Sequence, residues 1–265
     1  MTKRRTPWLM IAVVLLAAGA AFYFWQQSLQ PARQSLDPVE ASAPPTAQAE
    51  PAIRFPIQTA DTGSKPLPAL DASDQSMWDA LSGVVTRQAL NGIFNSEQIV
   101  RHIVVTIDNL PARTAAARLF PTKPASGPFR TAKAGDDLVI APENARRYAA
   151  YVRVVETVDA KKLVAVYAHF YPLFQRAYQD LGYPKAYFND RLVAVIDHLL
   201  DAPQPAEPVK LVQPRVLYQY EDPDLEASSA GHKIMMRMGA ENAAKTRLKL
   251  QAIRKELVNQ AVARQ

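Results

Sequence analysis

The polar side chains best suited to chemistry lie close together in one short stretch of this sequence. They are Tyr187, Asn189, Asp190, Arg191, Asp197 and His198. Asp190 and Asp197 are seven residues apart and so share a helix face, and an imidazole such as His198 exchanges protons near neutral pH. Two carboxylates and an imidazole are suited to acid–base catalysis or to metal ligation.

A structural interpretation of the same residues is simpler. Asn189 or Asp190 would cap the predicted helix, Arg191 would pair with a neighbouring carboxylate, and His198 would be an ordinary interior or surface residue. The motifs of serine hydrolases, phosphate-binding loops and dinucleotide-binding folds do not occur in the chain. His102, His169 and His232 lack the spacing of a metal site.

We therefore expect no catalytic residue, no cofactor and no metal, and a protein that is not an enzyme. The alternative is a hydrolase or transferase acting on cell-wall polymers, with Asp190, Asp197 and His198 as its acid–base groups.

Tyrosines are concentrated in this part of the chain, since seven of the ten lie between Tyr148 and Tyr187. Tyrosine combines an apolar ring with a polar tip, which suits a groove for sugar rings or peptide. The candidate binding residues are Tyr183, Tyr187, Asn189, Asp190, Arg191 and Asp197. Residues expected to be core instead, because they recur at helical spacing, are Tyr167, Phe170, Phe174 and Tyr178.

The elements that must position these residues are mostly helical. Capping residues and apolar periodicity predict helices that begin near Ser73 or Asp74, Asn95, Pro142, Asp159, Asn189 or Asp190, Pro223 and Glu241. Proline at position 172 should kink or divide the helix that starts at Asp159. A hairpin around Gly135 and a short extended pair around Pro214 are the expected β excursions. The fold class is mainly α, with one helical globular domain over 70–265.

Composition limits the classes of protein to which the chain can belong. The chain has 265 residues, 48% of them apolar, and no cysteine. Thiolate catalysis, cysteine-ligated zinc, iron–sulfur clusters and disulfides are therefore excluded.

An N-terminal membrane anchor is the clearest prediction. Trp8 to Trp25 is an unbroken apolar run, and Lys3-Arg4-Arg5 precedes it. This pattern predicts a cytoplasmic basic tail at 1–6 and a transmembrane helix at 7–25 in the inner membrane, with the remainder in the periplasm. The alternative is a cleaved signal peptide.

The segment at 26–69 holds eight of the 21 prolines and has no helical or strand periodicity. We expect a disordered linker there that buries no core. Charge is uneven beyond it, because Lys233 to Gln265 has eight basic and two acidic residues. This basic tail is interpreted either as a solvated helix face with Lys245, Lys249 and Arg254 outward or as a surface for anionic lipid headgroups, a cell-wall polymer or an acidic partner. Nucleic acid is not expected.

Several motifs of the globular part resemble a bacterial family catalogued as a domain of unknown function, number 3014. The similarity covers about 67–258 and rests on Leu67-Pro68-Ala69-Leu70-Asp71, Asp108-Asn109-Leu110-Pro111, Tyr171-Pro172-Leu173-Phe174, Leu181-Gly182-Tyr183-Pro184, Tyr187-Phe188-Asn189-Asp190-Arg191 and Arg237-Met238-Gly239. The resemblance implies a single-span envelope protein with a proline-rich spacer and a helical domain, and no assigned activity.

The function expected from these observations is that of a membrane-tethered periplasmic module that binds an envelope protein or a cell-wall component. A scaffold that oligomerises through its membrane span is a further alternative. The sequence leaves the oligomeric state open.

Overall fold

A computed structural model describes residues 52–57 and 66–262 of the chain. The predicted transmembrane helix at 7–25 lies outside these residues, as does most of the predicted linker at 26–69. None of the helices in the described ranges combines the length and the apolar character needed to cross a bilayer.

The described residues are mainly helical, in agreement with the predicted fold class. The α-helices are α1 (Asp74–Ser82), α2 (Arg87–Ile93), α3 (Ile99–Asn109), α4 (Glu143–Thr157), α5 (Ala160–Asp180), α6 (Phe188–Leu200), α7 (Pro223–Ala227), α8 (Ala230–Arg237) and α9 (Ala240–Val262). Two single 3₁₀ turns cover Leu70–Ala72 and Ala117–Leu119.

Helix α5 lies at the centre of the domain and contacts α3, α6 and α9. It begins where predicted, because Asp159 accepts a hydrogen bond from the Lys162 amide at 2.8 Å and so satisfies a free donor of the first turn. It ends just before Gly182, whose φ of 113° is open to glycine but strained for other residues. Pro172 lies inside α5 without dividing it. The apolar stripe is core as predicted, with Phe170, Phe174 and Tyr178 buried and Tyr167 packed against them.

The two predicted β excursions belong to one antiparallel sheet. Strands β1 (Thr131–Ala134) and β2 (Asp137–Ile140) form the predicted hairpin, and β3 (Lys210–Val212) and β4 (Gln219–Tyr220) extend it in the order β1-β2-β3-β4. Gly135 takes a φ of 64° in the two-residue connection, which is the conformation that such hairpins require.

Several predicted helix boundaries or caps are wrong. A side chain can cap a helix that is distant from it in the sequence, and a local pattern does not show this. The carboxylate of Asp74 does not cap α1 but accepts from the amides of Gln98 and Ile99, at 2.7 and 2.9 Å, and so caps α3. Helix α6 begins at Phe188, and neither Asn189 nor Asp190 caps it. The helix predicted from Pro223 is instead two helices, α7 and α8, separated at Ser229, which caps the second.

The basic residues of α9 form ion pairs and hydrogen bonds with other parts of the domain. This corrects the expectation that Lys245, Lys249 and Arg254 face solvent. Lys245 forms an ion pair with Glu156 of α4 at 3.4 Å. Lys249 donates to the carbonyl of Val158, and Arg254 makes an ion pair with Asp197 of α6. These contacts dock α9 on α4, α5 and α6, the helices that it touches most.

Candidate functional site

The surface at the start of α6 binds a segment from the far N-terminal side of the chain, residues 52–57. Asp190 accepts hydrogen bonds from the amides of Arg54 and Phe55, at 3.0 and 2.8 Å. Asn189 donates through Nδ2 to the carbonyl of Phe55 at 2.8 Å, and the hydroxyl of Tyr187 accepts from the amide of Ile57 at 2.8 Å. Three side chains of one short stretch thus bind four main-chain groups of the segment.

Apolar burial adds to these hydrogen bonds. Ile57 is only 5% exposed and belongs to the main core cluster, against which Phe55 also packs. The residue between them is Pro56, which has no N–H, so each of the three amides available from residue 54 to residue 57 has a partner. Within 54–57, the residue whose nitrogen is not hydrogen-bonded is therefore Pro56, which has no N–H to donate. The surface therefore fits an apolar-Pro-apolar sequence.

This arrangement corrects the expectation that 26–69 buries no core. Residues 52–57 fall within the predicted linker, yet they are docked on the domain through the contacts above. The sequence signal for this docking is weak, because Ile53, Phe55 and Ile57 alternate with other residues only over this short stretch and Ile53 is 54% exposed.

The side chains that bind the segment are themselves fixed from behind by α5. Asn189 is completely buried, and its Oδ1 accepts from the hydroxyl of Tyr167 at 3.2 Å. Burial raises the pKa of Tyr167 well above its usual value, so that this hydroxyl stays a proton donor. The ring of Tyr187 packs on Tyr171 with centroids 5.2 Å apart. Because Asn189 and Tyr187 are braced in this way, their part of the surface is preorganised for the segment.

Gln175 fixes the start of α6 relative to α5. Its Oε1 accepts from the hydroxyl of Tyr171 at 2.8 Å and from the amide of Phe188 at 2.9 Å, and its Nε2 donates to the carbonyl of Ala186 at 2.8 Å. One side chain therefore positions the turn that carries Tyr187 and the first residue of α6.

Two other predicted binding residues contact a different helix. Arg191 donates through Nε to Asp108 Oδ1 at 2.9 Å and through Nη2 to the Asp108 carbonyl at 2.7 Å, while the hydroxyl of Tyr183 donates to Asp108 Oδ2 at 3.1 Å. The hydrogen bond to Asp108 raises the pKa of Tyr183. The side chain of Asp108 is only 13% exposed, so Tyr183 and Arg191 brace the end of α3.

The proposed acid–base groups do not converge. Asp190 binds the segment, and Asp197 pairs with Arg254 of α9. The Nε2 atom of His198 lies 2.8 Å from Ser229 Oγ, and its ring stacks on His232 with centroids 4.0 Å apart. These three groups face three different elements, so the geometry does not support the hydrolase or transferase alternative. Within 52–57 and 66–262, no group of three or more metal-binding side chains is close enough to hold a metal ion.

The predicted binding residues therefore divide into three sets. Tyr187, Asn189 and Asp190 bind the segment at 52–57, Tyr183 and Arg191 bind Asp108, and Asp197 binds Arg254. Binding of an external partner by any of them stays a prediction.

The described part of the chain is thus a mainly helical domain with a small antiparallel sheet, on which residues 52–57 of the same chain are docked. The chain belongs to the family described as protein of unknown function (DUF3014), whose profile matches residues 99–254. The match begins at α3 and ends at Arg254 in α9, so it includes the whole start of α6. The chain has no significant match among curated proteins or among solved structures.

Proposed function

We propose that this protein is a membrane-tethered, periplasmic binding module of the bacterial cell envelope, and that Tyr187, Asn189 and Asp190 form a peptide-binding site. The observation that carries the proposal is the binding of four main-chain groups of residues 52–57 by these three side chains. Main-chain binding gives affinity, and the partly buried Phe55 and the buried Ile57 positions give sequence preference.

The partner for this site is a protein segment with an apolar residue, a proline and a second apolar residue in succession. In the resting chain residues 52–57 take that place. An intramolecular competitor acts at an effective concentration in the millimolar range, so a partner binds only when its own segment fits better or when the internal segment is displaced. The domain would then release 52–57 as it engages the partner.

The envelope location rests on the sequence. An apolar run of 18 residues after Lys3-Arg4-Arg5 is the pattern of a single span with its N-terminus in the cytoplasm. A fusion of alkaline phosphatase to the C-terminus tests it, because that enzyme is active only after export. Activity confined to a cytosolic reporter fused at the same position would overturn the location.

The binding proposal is tested with a labelled nonapeptide that has the sequence of residues 51–59 and with a Phe55→Ser, Ile57→Ser double variant of the full chain. Removing the internal competitor should raise the affinity for the peptide about tenfold or more over that of the unmodified chain, as measured by fluorescence anisotropy. Adding Asp190→Ala to the double variant should abolish binding. Adding Asp136→Ala instead, which removes an exposed carboxylate of the hairpin, should leave it unchanged.

Two controls make the result specific. A peptide with the same composition but with the proline of position 56 moved should bind poorly, and circular dichroism should show that the variants keep their helices. Equal binding with and without Asp190, or no binding by the double variant, contradicts the proposed site.

A further inference from the structure

A cavity of about 370 Å³ lies between the sheet and helices α4 and α8. Its volume is within the range of about 300–1,000 Å³ that is typical of small-molecule sites. Its walls carry Tyr148 and Arg147 from α4, Tyr218 and Tyr220 from β4 and the loop before it, and Arg237 from the end of α8. The cavity is separate from the peptide-binding site at the start of α6.

The base of the cavity holds a polar group without a well-formed hydrogen bond. Tyr220 is only 3% exposed, and its hydroxyl has no hydrogen bond of good geometry within the described residues, although the Arg237 guanidinium lies beside it. A buried hydroxyl without a well-formed hydrogen bond is unfavourable, so it points to a ligand that completes it. Burial raises the pKa of Tyr220, which keeps its hydroxyl protonated and available as a donor.

The charge of the cavity is positive. The guanidinium carbon of Arg237 lies 5.9 Å from the centre of the Tyr220 ring, and its positive charge acts on the Tyr220 hydroxyl and on the Glu226 carboxylate. Arg147 donates to the carbonyls of Ser126 and Gly127, at 3.1 and 3.0 Å, and these are neutral acceptors. No acidic residue is among the described residues that line the cavity. Two arginines in a cavity whose described lining holds no carboxylate favour an anionic ligand.

The remaining surface of the cavity is apolar and aromatic. Phe129 and Tyr218 lie with their ring centroids 6.0 Å apart, and Leu217 is 77% exposed although it is a large apolar residue. A single exposed leucine is ordinary, but this one lies at the mouth of an apolar cavity and can close over a bound molecule.

We propose that this cavity is a second binding site, for a small organic anion with a ring or chain as its apolar body. The anionic head would accept hydrogen bonds from Arg237 and from the hydroxyl of Tyr220, and the body would pack on Tyr148, Tyr218 and Leu217. Arg237, which belongs to the Arg237-Met238-Gly239 motif, is the residue that sets the charge preference.

Ligand-observed NMR on the full chain tests the proposal with three probes: 3-phenylpropionate, phenyl phosphate and the uncharged 3-phenylpropionamide. At least one anion should bind about tenfold or more tightly than the amide, and the two anions distinguish a carboxylate from a phosphate head. Arg237→Gln should lose about tenfold in affinity for that anion. Arg153→Gln, an exposed arginine of the same helix as Arg147, should bind as the unmodified chain does.

A second variant separates binding from folding. Tyr220→Phe removes the buried hydroxyl, so it should weaken anion binding severalfold without lowering the thermal unfolding midpoint. The proposal is overturned if none of the probes shows saturable binding, if the amide binds as well as the anions, or if Arg237→Gln binds as well as the unmodified chain.

Discussion

The carboxylate of Asp190 accepts a hydrogen bond from the amide of Phe55 at 2.8 Å, although 135 positions separate the two residues along the chain. This contact joins the N-terminal side of the described chain to the start of α6. It makes a stretch of the proline-rich segment part of the folded domain, and it shows that Asp190, a predicted binding residue, binds main-chain amides of the same chain.

Replacing Asp190 by alanine should release residues 52–57. The change leaves the amides of Arg54 and Phe55 without their acceptor, which weakens docking by about 1–3 kcal/mol and raises the released fraction about tenfold or more. Cleavage by trypsin after Arg54, followed by mass spectrometry, should accelerate in proportion. Asp136→Ala is the matched control, and equal cleavage of the two variants would contradict the role of Asp190.

The two ion pairs at the ends of α6 should differ in their contribution to stability. Asp108→Asn leaves Arg191 and Tyr183 without a nearly buried carboxylate and should lower the free energy of unfolding by about 2–3 kcal/mol. Asp197→Asn removes a carboxylate that is 43% exposed, so the loss should be under about 1 kcal/mol. Urea denaturation of both variants checks the order, and a larger loss at Asp197 would refute it.

Stability should fall as the solution becomes acidic through the range in which histidine titrates. Burial and the neighbouring His232 lower the pKa of His198 below its usual 6.5, while Asp201 acts against this and Arg191 adds to it. The unfolded chain therefore takes up a proton at a higher pH than the folded one. The stabilising contribution is complete above about pH 6.5 and is lost as the pH falls through the lowered pKa of the folded state.

Thermal denaturation between about pH 7.5 and pH 5 measures this effect. His198→Gln should flatten the slope in that range, because glutamine does not titrate there. His169→Gln, on helix α5, is the control that should keep it. A slope unchanged by His198→Gln would show that another group is responsible.

Gly231 should tolerate no side chain. A Cβ atom at this position would lie 2.6 Å from Leu199 Cδ2 and 3.1 Å from the carbonyl oxygen of Leu110, to which the Gly231 amide already donates at 2.8 Å. Gly231→Ala should therefore lower the free energy of unfolding by about 1–3 kcal/mol. Gly92→Ala, where nothing lies within 4 Å, should be neutral or slightly stabilising. Equal stability of the two variants would contradict the close approach of α6 and α8.

Local signals in the sequence were sufficient for the elements whose stabilising contacts are local. The apolar stripe of α5, its cap at Asp159 and the hairpin at Gly135 all follow from spacing within a few residues, and each is present. The cap of α3 was not predictable, because Asp74 comes from a different helix.

The candidate site was predicted only in part. Spacing identified Tyr187, Asn189 and Asp190 as a polar cluster, but hydrogen bonding to distant groups decides what such a cluster does. The partners of the cluster lie in a segment whose average composition is that of a linker. The alternation of Ile53, Phe55 and Ile57 was only a weak signal, because Ile57 is buried and Phe55 partly so, whereas Ile53 is 54% exposed. The cavity at Tyr220 draws on residues from Phe129 to Arg237 that belong to several elements, so no local pattern predicts it.

The docking of Phe55 on Asp190 can occur only late in synthesis, because Asp190 is translated long after Phe55. Phe55 leaves the ribosome first, and at about 5–20 residues per second the 135 positions that follow take on the order of ten seconds to be translated. During that interval the apolar side chains of Phe55 and Ile57 have no α6 to receive them. Residues 52–57 are thus the first of the described residues to be translated and among the last to dock. In a nascent chain that stalls before α6, this segment stays available to chaperones.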